Sequence, residues 1–325
     1  MLELLAGGGE NGAGAAAREQ HPVKRFLERL DAGADRRLGD IEVFGGILCE
    51  TTITRLEDDR FFLCSAGAAE WHDHQWMRQH LPDDGGVNIA NVTARFGTLI
   101  LAGPKARDVL GRITSADLSS DAFPWLSAQA IEIGFSSMLA MRINYVGELG
   151  WELHIPVENM IAVYEALMDA VAEHDIADFG MYAMESLRLE KCYRSWKVDL
   201  TQEHTPLEAS LDCFVRLNKT DFIGREALLE QQQAGLTQRL VPLIVDADDA
   251  DAPACAGVFH NGDRVGLVTS GGYGHSLQQS IALAYVRPDL TEPGTALEVE
   301  ILGQRRPAVV GTEPLYDPDN ARLRA

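Results

Sequence analysis

The pattern that most constrains the fold begins after Gly235. From there to about Thr312 the chain consists of short, alternating apolar stretches that Gly, Asp and Pro separate. The predicted strands are Leu240–Val245, Val258–Phe259, Gly266–Thr269, Ile281–Val286, Ala296–Leu302 and Pro307–Val310. Several short strands with turn residues at this spacing are typical of a small all-β unit. We therefore predict a β-barrel domain over residues 235–325.

Residues 21–234 mix helical and strand patterns, which predicts an α+β domain. The predicted helices are Val23–Leu30, Ala68–His80, Lys105–Ile113, Val157–His174, Met181–Tyr193 and Arg225–Gln233. The predicted strands are Ile41–Phe44, Thr51–Leu56, Arg60–Ser65, Thr98–Ala102, Ile131–Gly134, Leu139–Tyr145 and Trp151–Ile155. Residues 1–20 contain the glycine-rich stretch AGGGENGAGAAA and are predicted to be a flexible tail.

The overall charge excludes some classes of partner. The formal net charge is −21, and binding to nucleic acid or to an anionic membrane requires clustered Lys and Arg. No apolar run approaches the roughly 18 residues of a membrane-spanning helix. The five cysteines have no C-x-x-C spacing, and no signal-peptide pattern is present. These features predict reduced thiols, no metal and a cytoplasmic location.

The segment NYVGELGWEL, residues 144–153, could carry chemistry. Tyr145 is predicted to end one strand, and Glu152 lies inside the next. A buried carboxylate needs partners and suits a ligand with two adjacent N–H groups, such as a pterin or a guanidinium. The alternative is that Glu152 lies on the solvent face of a hairpin with Glu148 in its turn. Spacing alone favours this alternative.

Other motifs have ordinary structural explanations. Residues 180–191, GMYAMESLRLEK, predict an amphipathic helix with surface ion pairs among Glu185, Arg188 and Glu190. The glycine-rich Thr269–Ser276 is predicted to be a turn, and it lacks the Lys of a phosphate-binding loop. Three histidines fit no metal-ligand spacing and are predicted to be structural: His154, His204 and His275.

Five segments nevertheless occur in the order seen in the aminomethyltransferase family, which includes the glycine cleavage T-protein. They are NYVGELGWELHIP, FGMYAMESLRLEK, TPLEASL, FVRLNKTDFIGREAL and TSGGYGHSLQQSIALAYV. The chain most resembles the folate-binding C-terminal half of dimethylglycine dehydrogenase and sarcosine dehydrogenase, from about Val23 to about Pro314. The resemblance implies a folate-binding α+β domain, a C-terminal small β-barrel and tetrahydrofolate as the cofactor.

The resemblance also implies roles for individual residues. Tyr145 and Glu152 match a Tyr and a Glu that bind the pterin ring in the family. The family's functional carboxylate ends a G-G-x-x-x-D stretch, here GGILCE. Glu50 is thereby the expected catalytic residue, which orients the reacting nitrogens and shuttles a proton; the alternative is an exposed strand residue. Arg188 and Tyr193 are expected folate neighbours.

The implied function is capture of the carbon of a methylated amine, as an iminium or formaldehyde, in the form of 5,10-methylene-tetrahydrofolate. Family members usually have several dozen more residues before the helix matching Val23–Leu30, so the first subdomain is expected to be shortened. We expect a flavoprotein dehydrogenase subunit or a second copy of the chain to cover the face around Ile41–Leu63. Two alternatives remain: a non-catalytic folate-binding protein in regulation or iron–sulfur maintenance, and a structural subunit of a flavin amine oxidase complex.

Overall fold

The computed structural model describes residues 1–6, 46–170, 176–219 and 222–325. Within these ranges the chain forms two four-stranded antiparallel sheets, a closed six-stranded barrel and several helices. The predicted α+β class and the C-terminal barrel are therefore confirmed. The predicted helix Val23–Leu30 and strand Ile41–Phe44 lie outside the described residues. No helix in the described ranges is long and apolar enough to cross a membrane.

The first sheet has the strand order β2-β3-β1-β4. Its strands are β1 (Leu2–Ala6), β2 (Thr51–Arg55), β3 (Arg60–Ser65) and β4 (Val87–Asn91), and helix α1 is Glu70–Gln79. Alternate residues of β3 face opposite sides, as the pleat requires. Phe61 and Leu63 pack against Met77 of α1, whereas Phe62 joins a different cluster towards the second sheet.

The expectation of a flexible tail is wrong for the first residues of the chain. Leu2–Ala6 pairs with β3 on one side and β4 on the other, so it is an interior strand of the first sheet. Leu2 is buried in the cluster beneath α1. The five residues LELLA before a glycine run do not indicate this role locally, because the pairing partners in β3 lie more than 50 residues away. Residues 7–20 are outside the described residues.

The second sheet has the order β5-β8-β7-β6 and carries two helices on one face. Its strands are β5 (Phe96–Ala102), β6 (Ala128–Ile133), β7 (Ser136–Met141) and β8 (Gly150–Pro156), and its helices are α2 (Ala106–Ile113) and α3 (Met160–Ala170). Trp151, Leu153 and Ile155 are fully buried against these helices. The residues between them, Glu152 and His154, lie on the opposite face, where the ring of His154 meets Phe62 of β3.

The barrel closes in the order β10-β11-β12-β9-β14-β13. Its strands are β9 (Arg239–Val245), β10 (Gly257–His260), β11 (Asp263–Gly274), β12 (Gln279–Val286), β13 (Ala296–Ile301) and β14 (Gln304–Val310). The remaining helices are α4 (Met181–Glu190), α5 (Arg225–Ala234) and α6 (Ala321–Arg324). The predicted boundary between residues 234 and 235 falls between α5 and β9.

The turn predicted at Thr269–Ser276 is wrong over most of its length. Strand β11 continues to Gly274, and Gly271 pairs with Ala282 of β12. A Cβ on Gly271 would lie 2.0 Å from the carbonyl oxygen of Ala252. The glycine therefore permits a close approach of two backbone segments within the barrel, which is a recognised use of glycine inside a strand.

Candidate functional site

The segment that carries Glu50 is fixed against the loop that follows α4. The Ile47 amide donates to the His204 carbonyl at 3.0 Å, and the Trp196 indole donates to the Leu48 carbonyl at 3.3 Å. A Cβ on Gly46 would lie 2.0 Å from the Gln202 carbonyl oxygen, so only glycine permits this approach. These contacts place Glu50 at a fixed position just before β2.

Glu50 is accessible to solvent, but protein surrounds much of its carboxyl group. The resulting loss of hydration raises the pKa of Glu50. A carboxyl group with a raised pKa exchanges protons more readily near neutral pH than an ordinary one. Glu50 is exposed, as the alternative expects, and it directly precedes β2 rather than lying in the strand.

Tyr145 and Tyr193 form a stacked aromatic pair beside this segment. Their ring centroids are 5.7 Å apart with an interplanar angle of 22°, and the Tyr145 hydroxyl donates to the Arg194 carbonyl. Tyr145 does not end a strand as predicted, because β7 stops at Met141 and Tyr145 lies in the loop before β8. Burial raises the pKa of Tyr145, the Arg188 charge opposes that rise, and the Glu50 charge adds to it. The hydroxyl therefore stays protonated and acts as a donor.

The predicted ion pair between Arg188 and Glu185 forms, but Arg188 is buried rather than on the surface. Glu190 is also buried and joins no ion pair among the described residues, so that part of the prediction is wrong. The Arg188 guanidinium lies 2.8 Å from Asp199, donates to Glu185 at 2.7 Å and to Ser270 at 2.9 Å. It also donates to the Tyr193 carbonyl at 3.1 Å. These protein groups accept from all three guanidinium nitrogens, so Arg188 holds the Tyr193 backbone in place.

Asp199 is a central residue of the site that the sequence analysis did not select. It is fully buried and accepts from Arg188, from the Ser195 amide and from the hydroxyl of Ser270 at 2.6 Å. Its backbone carbonyl accepts from the Tyr285 hydroxyl of the barrel. The sequence indicates a buried Asp199 only weakly, through its place between the apolar Val198 and Leu200.

Glu152 lies on the inner face of the second sheet with its side chain 21% exposed. Burial raises the pKa of Cys64 to about 11, and the charge of Glu152 adds to this rise. The Glu152 carboxylate therefore lies near β3, which carries Cys64. Its nearest charged or polar partner is His154, with Nε2 3.6 Å from Oε2. Among the described residues no group donates a hydrogen bond to this carboxylate. Glu152 therefore lies on the inner rather than the solvent face, and its acceptor capacity is unused.

The structure thus brings four of the five predicted residues together. Glu50, Arg188 and Tyr145 interact electrostatically, and Tyr193 stacks on Tyr145. No hydrogen bond or ring contact between described residues joins Glu152 to this group. Glu152 pairs across the sheet with Met141, the last residue of β7. Tyr145 follows Met141 by four residues, so Glu152 and the loop that carries Tyr145 both lie at this end of β7.

A separate groove of about 570 Å³ lies between the two sheets. Its walls include Phe62, Phe96 and Leu139, and its rim includes Glu57 and Arg60. None of the five predicted site residues lines it. The groove is therefore distinct from the cluster of predicted residues described above.

Comparisons with known proteins identify the family of the chain. Residues 41–219 match the model of the GCVT N-terminal domain, and residues 238–317 match that of the glycine cleavage T-protein C-terminal barrel domain. The mitochondrial dimethylglycine dehydrogenase of Homo sapiens is 42% identical over 92% of this chain, which spans only 36% of that protein. The aminomethyltransferase of Geobacillus sp. (strain WCH70) is 32% identical over 84% of this chain and 74% of its own length.

A solved structure shows the same fold. The glycine cleavage system aminomethyltransferase T from Bartonella henselae is 26% identical and superposes with a TM-score of 0.78, covering 98% of this chain and 84% of that one. Both family models match in sequence order, and the second begins at residue 238, between α5 and β9, where the barrel starts. The chain therefore belongs to the glycine cleavage T-protein family of aminomethyltransferases.

Proposed function

We propose that the chain binds tetrahydrofolate and that the unpartnered carboxylate of Glu152 grips its pterin ring. The observation that carries this proposal is a mostly buried carboxylate that accepts no hydrogen bond from the described residues. Such a group is costly to bury unless a ligand supplies donors. A pterin presents two adjacent N–H groups, which two carboxylate oxygens accept in parallel.

The aromatic pair fits the same ligand. Tyr145 would supply a flat ring for contact with the pterin, and Tyr193 stacks on Tyr145. Arg188 fixes the Tyr193 carbonyl and acts on the ligand only through that residue. Rigid support of this kind reduces the ordering that binding would otherwise require.

The proposed reaction is transfer of one carbon from a methylated amine, delivered as an iminium or as formaldehyde. Bound tetrahydrofolate would supply the nucleophilic nitrogens that take up the carbon, and the product would be 5,10-methylene-tetrahydrofolate. Glu50 would orient the amine and exchange a proton with it, a task that its raised pKa suits. Holding both reactants at one place makes their encounter effectively unimolecular.

The oxidation that generates the iminium needs a flavoprotein, and we propose that one works with this module. Support comes from the match to dimethylglycine dehydrogenase, of which this chain spans about a third. Among the described residues, β2 is an edge strand of the first sheet, and its Ile53 is 47% exposed, which suits contact with a flavoprotein subunit or a second copy. Light scattering on the isolated chain, alone and with a candidate flavoprotein, tests this part.

Titration calorimetry with folinic acid tests folate binding. Glu152→Gln should weaken binding by about 2 kcal/mol, because it removes a paired charge-assisted contact. Glu132→Gln is the matched control, since Glu132 lies on the same sheet but faces solvent. Equal affinity of the Glu152→Gln variant and the parent would contradict the pterin assignment.

A turnover assay separates the enzyme from a non-catalytic folate-binding protein. The chain is incubated with tetrahydrofolate and formaldehyde, and the formation of 5,10-methylene-tetrahydrofolate is measured against the uncatalysed rate. Tight folate binding without rate enhancement would favour the regulatory alternative. Neither binding nor turnover would favour the purely structural subunit.

A further inference from the structure

His154 is a buried histidine whose ring is fixed on two sides. It is 2% exposed and lies on β8, directly opposite Thr98 of β5. The Thr98 hydroxyl contacts Nδ1 of His154 at 3.2 Å. The ring also meets Phe62 of the first sheet edge to face, with centroids 5.4 Å apart. This histidine therefore has little freedom to turn.

The other ring nitrogen has no hydrogen-bond partner. Nε2 of His154 is buried and unsatisfied, although it points towards Oε2 of Glu152 at 3.6 Å. Leaving a buried polar group unpaired is costly, so such an atom needs an explanation. Residues two apart on a strand share one face, and this spacing places the imidazole and the carboxylate side by side.

The contact with Thr98 is compatible with a proton on Nε2 of His154, because a Thr hydroxyl can donate to Nδ1 as well as accept from it. When its hydroxyl donates to Nδ1, the neutral imidazole carries its hydrogen on Nε2. That hydrogen then faces a carboxylate which no other described group satisfies. A shift of less than 1 Å would bring the two atoms to a normal hydrogen-bond distance of about 2.9 Å.

We propose that His154 is a positioning residue for Glu152: its Nε2–H holds one carboxylate oxygen and directs the other towards the ligand. This inference rests on the proposed folate site, where Glu152 is the contacting residue. Its consequence is that Thr98, His154 and Glu152 form a chain of three side chains across β5 and β8. His154 is thereby more than the purely structural histidine that the sequence pattern indicated.

A double-mutant cycle tests the inference, with the dissociation constant for folinic acid measured by titration calorimetry. His154→Phe keeps the ring and its packing against Phe62 but removes the donor, and we expect about tenfold weaker binding. His154→Gln offers an amide donor near the same place and should recover most of that loss. In the Glu152→Gln background, His154→Phe should cause little further weakening.

Three results would overturn the inference. They are an unchanged affinity of the His154→Phe variant, a failure of His154→Gln to recover binding, and a full tenfold loss in the Glu152→Gln background. The last result would mean that His154 acts through packing alone. If the parent chain binds no folinic acid at all, the proposed function fails and this inference fails with it. If the parent chain binds folinic acid but the His154 and Glu152 substitutions act independently, only this inference is contradicted.

Discussion

The guanidinium of Arg188 lies 2.8 Å from the carboxylate of Asp199, and both side chains are almost completely buried. The pair joins α4 to the loop after it, and the Ser270 hydroxyl of the barrel binds both partners. It therefore connects the α+β part of the chain to the barrel directly behind the aromatic pair of the candidate site. Buried charges persist only where each has such partners.

Removing one member of this pair should destabilise the chain strongly. Arg188→Met keeps the approximate volume but leaves the Asp199 charge buried without its partner, and we expect a loss of about 3–5 kcal/mol in the free energy of unfolding. Urea denaturation measures it. The control is Arg287→Met, whose ion pair with Asp289 is exposed and should contribute less than about 1 kcal/mol. Similar losses of unfolding free energy for both variants would show that the buried pair contributes no more than an exposed one.

The close approach at Gly46 gives a prediction about the position of Glu50. Gly46→Ala should displace the segment from the Gln202 carbonyl and reduce the free energy of unfolding by about 1–3 kcal/mol. Turnover should fall as well, because Glu50 lies four residues further on. Gly67→Ala is the matched control, since its Cβ would meet nothing within 4 Å. A Gly46→Ala variant with normal stability and turnover would contradict the tight docking.

Glu50→Gln tests the catalytic role. It keeps the shape but cannot exchange a proton, so turnover should fall about 100-fold while the affinity for folinic acid changes little. Steady-state assays and titration calorimetry measure the two effects separately. An equal loss in both would assign Glu50 to ligand binding alone. Unchanged turnover would remove it from the mechanism.

The raised pKa of Glu50 also predicts a pH dependence of stability. Burial raises it above its ordinary value of 4.5, so between these two values the folded chain binds more protons than the unfolded chain. The Glu50 contribution to the free energy of unfolding therefore decreases as the pH rises through that window. The difference in free energy of unfolding between Glu50→Gln and the parent should therefore shift in favour of Glu50→Gln as the pH rises from below 4.5 to above the raised pKa. Denaturation curves at several pH values would show a constant difference if the pKa is ordinary.

Burial should divide the cysteines into two reactivity classes. It raises the pKa of Cys49 and Cys64 to about 11 and that of Cys192 to about 12, whereas Cys213 and Cys255 are exposed. Because the thiolate is the nucleophile, iodoacetamide at pH 8 should label the two exposed cysteines first. Mass spectrometry of the native and the denatured chain gives the order. Early labelling of Cys49 would show that the segment before Glu50 opens in solution.

The barrel was predictable because its strands are specified locally. Alternation of apolar and polar residues with turn residues between the stretches is a short-range property, and six strands follow it. The prediction was wrong where glycine had a tertiary role. In β11 the glycines permit close packing against another segment, and the sequence does not distinguish that use from a turn.

The sequence by itself determined the family, the α+β class with its barrel, and the residue types of the candidate site. Tyr145, Glu152 and Glu50 were selected because they match positions in the family's motifs, whereas local spacing alone favoured a solvent-facing Glu152. Only the tertiary structure decided which charges are buried, because burial depends on segments far apart in the chain. Arg188 is buried because the loop at Asp199 and strand β11 close over it, and Glu152 faces His154 and the first sheet because β8 pairs with β5.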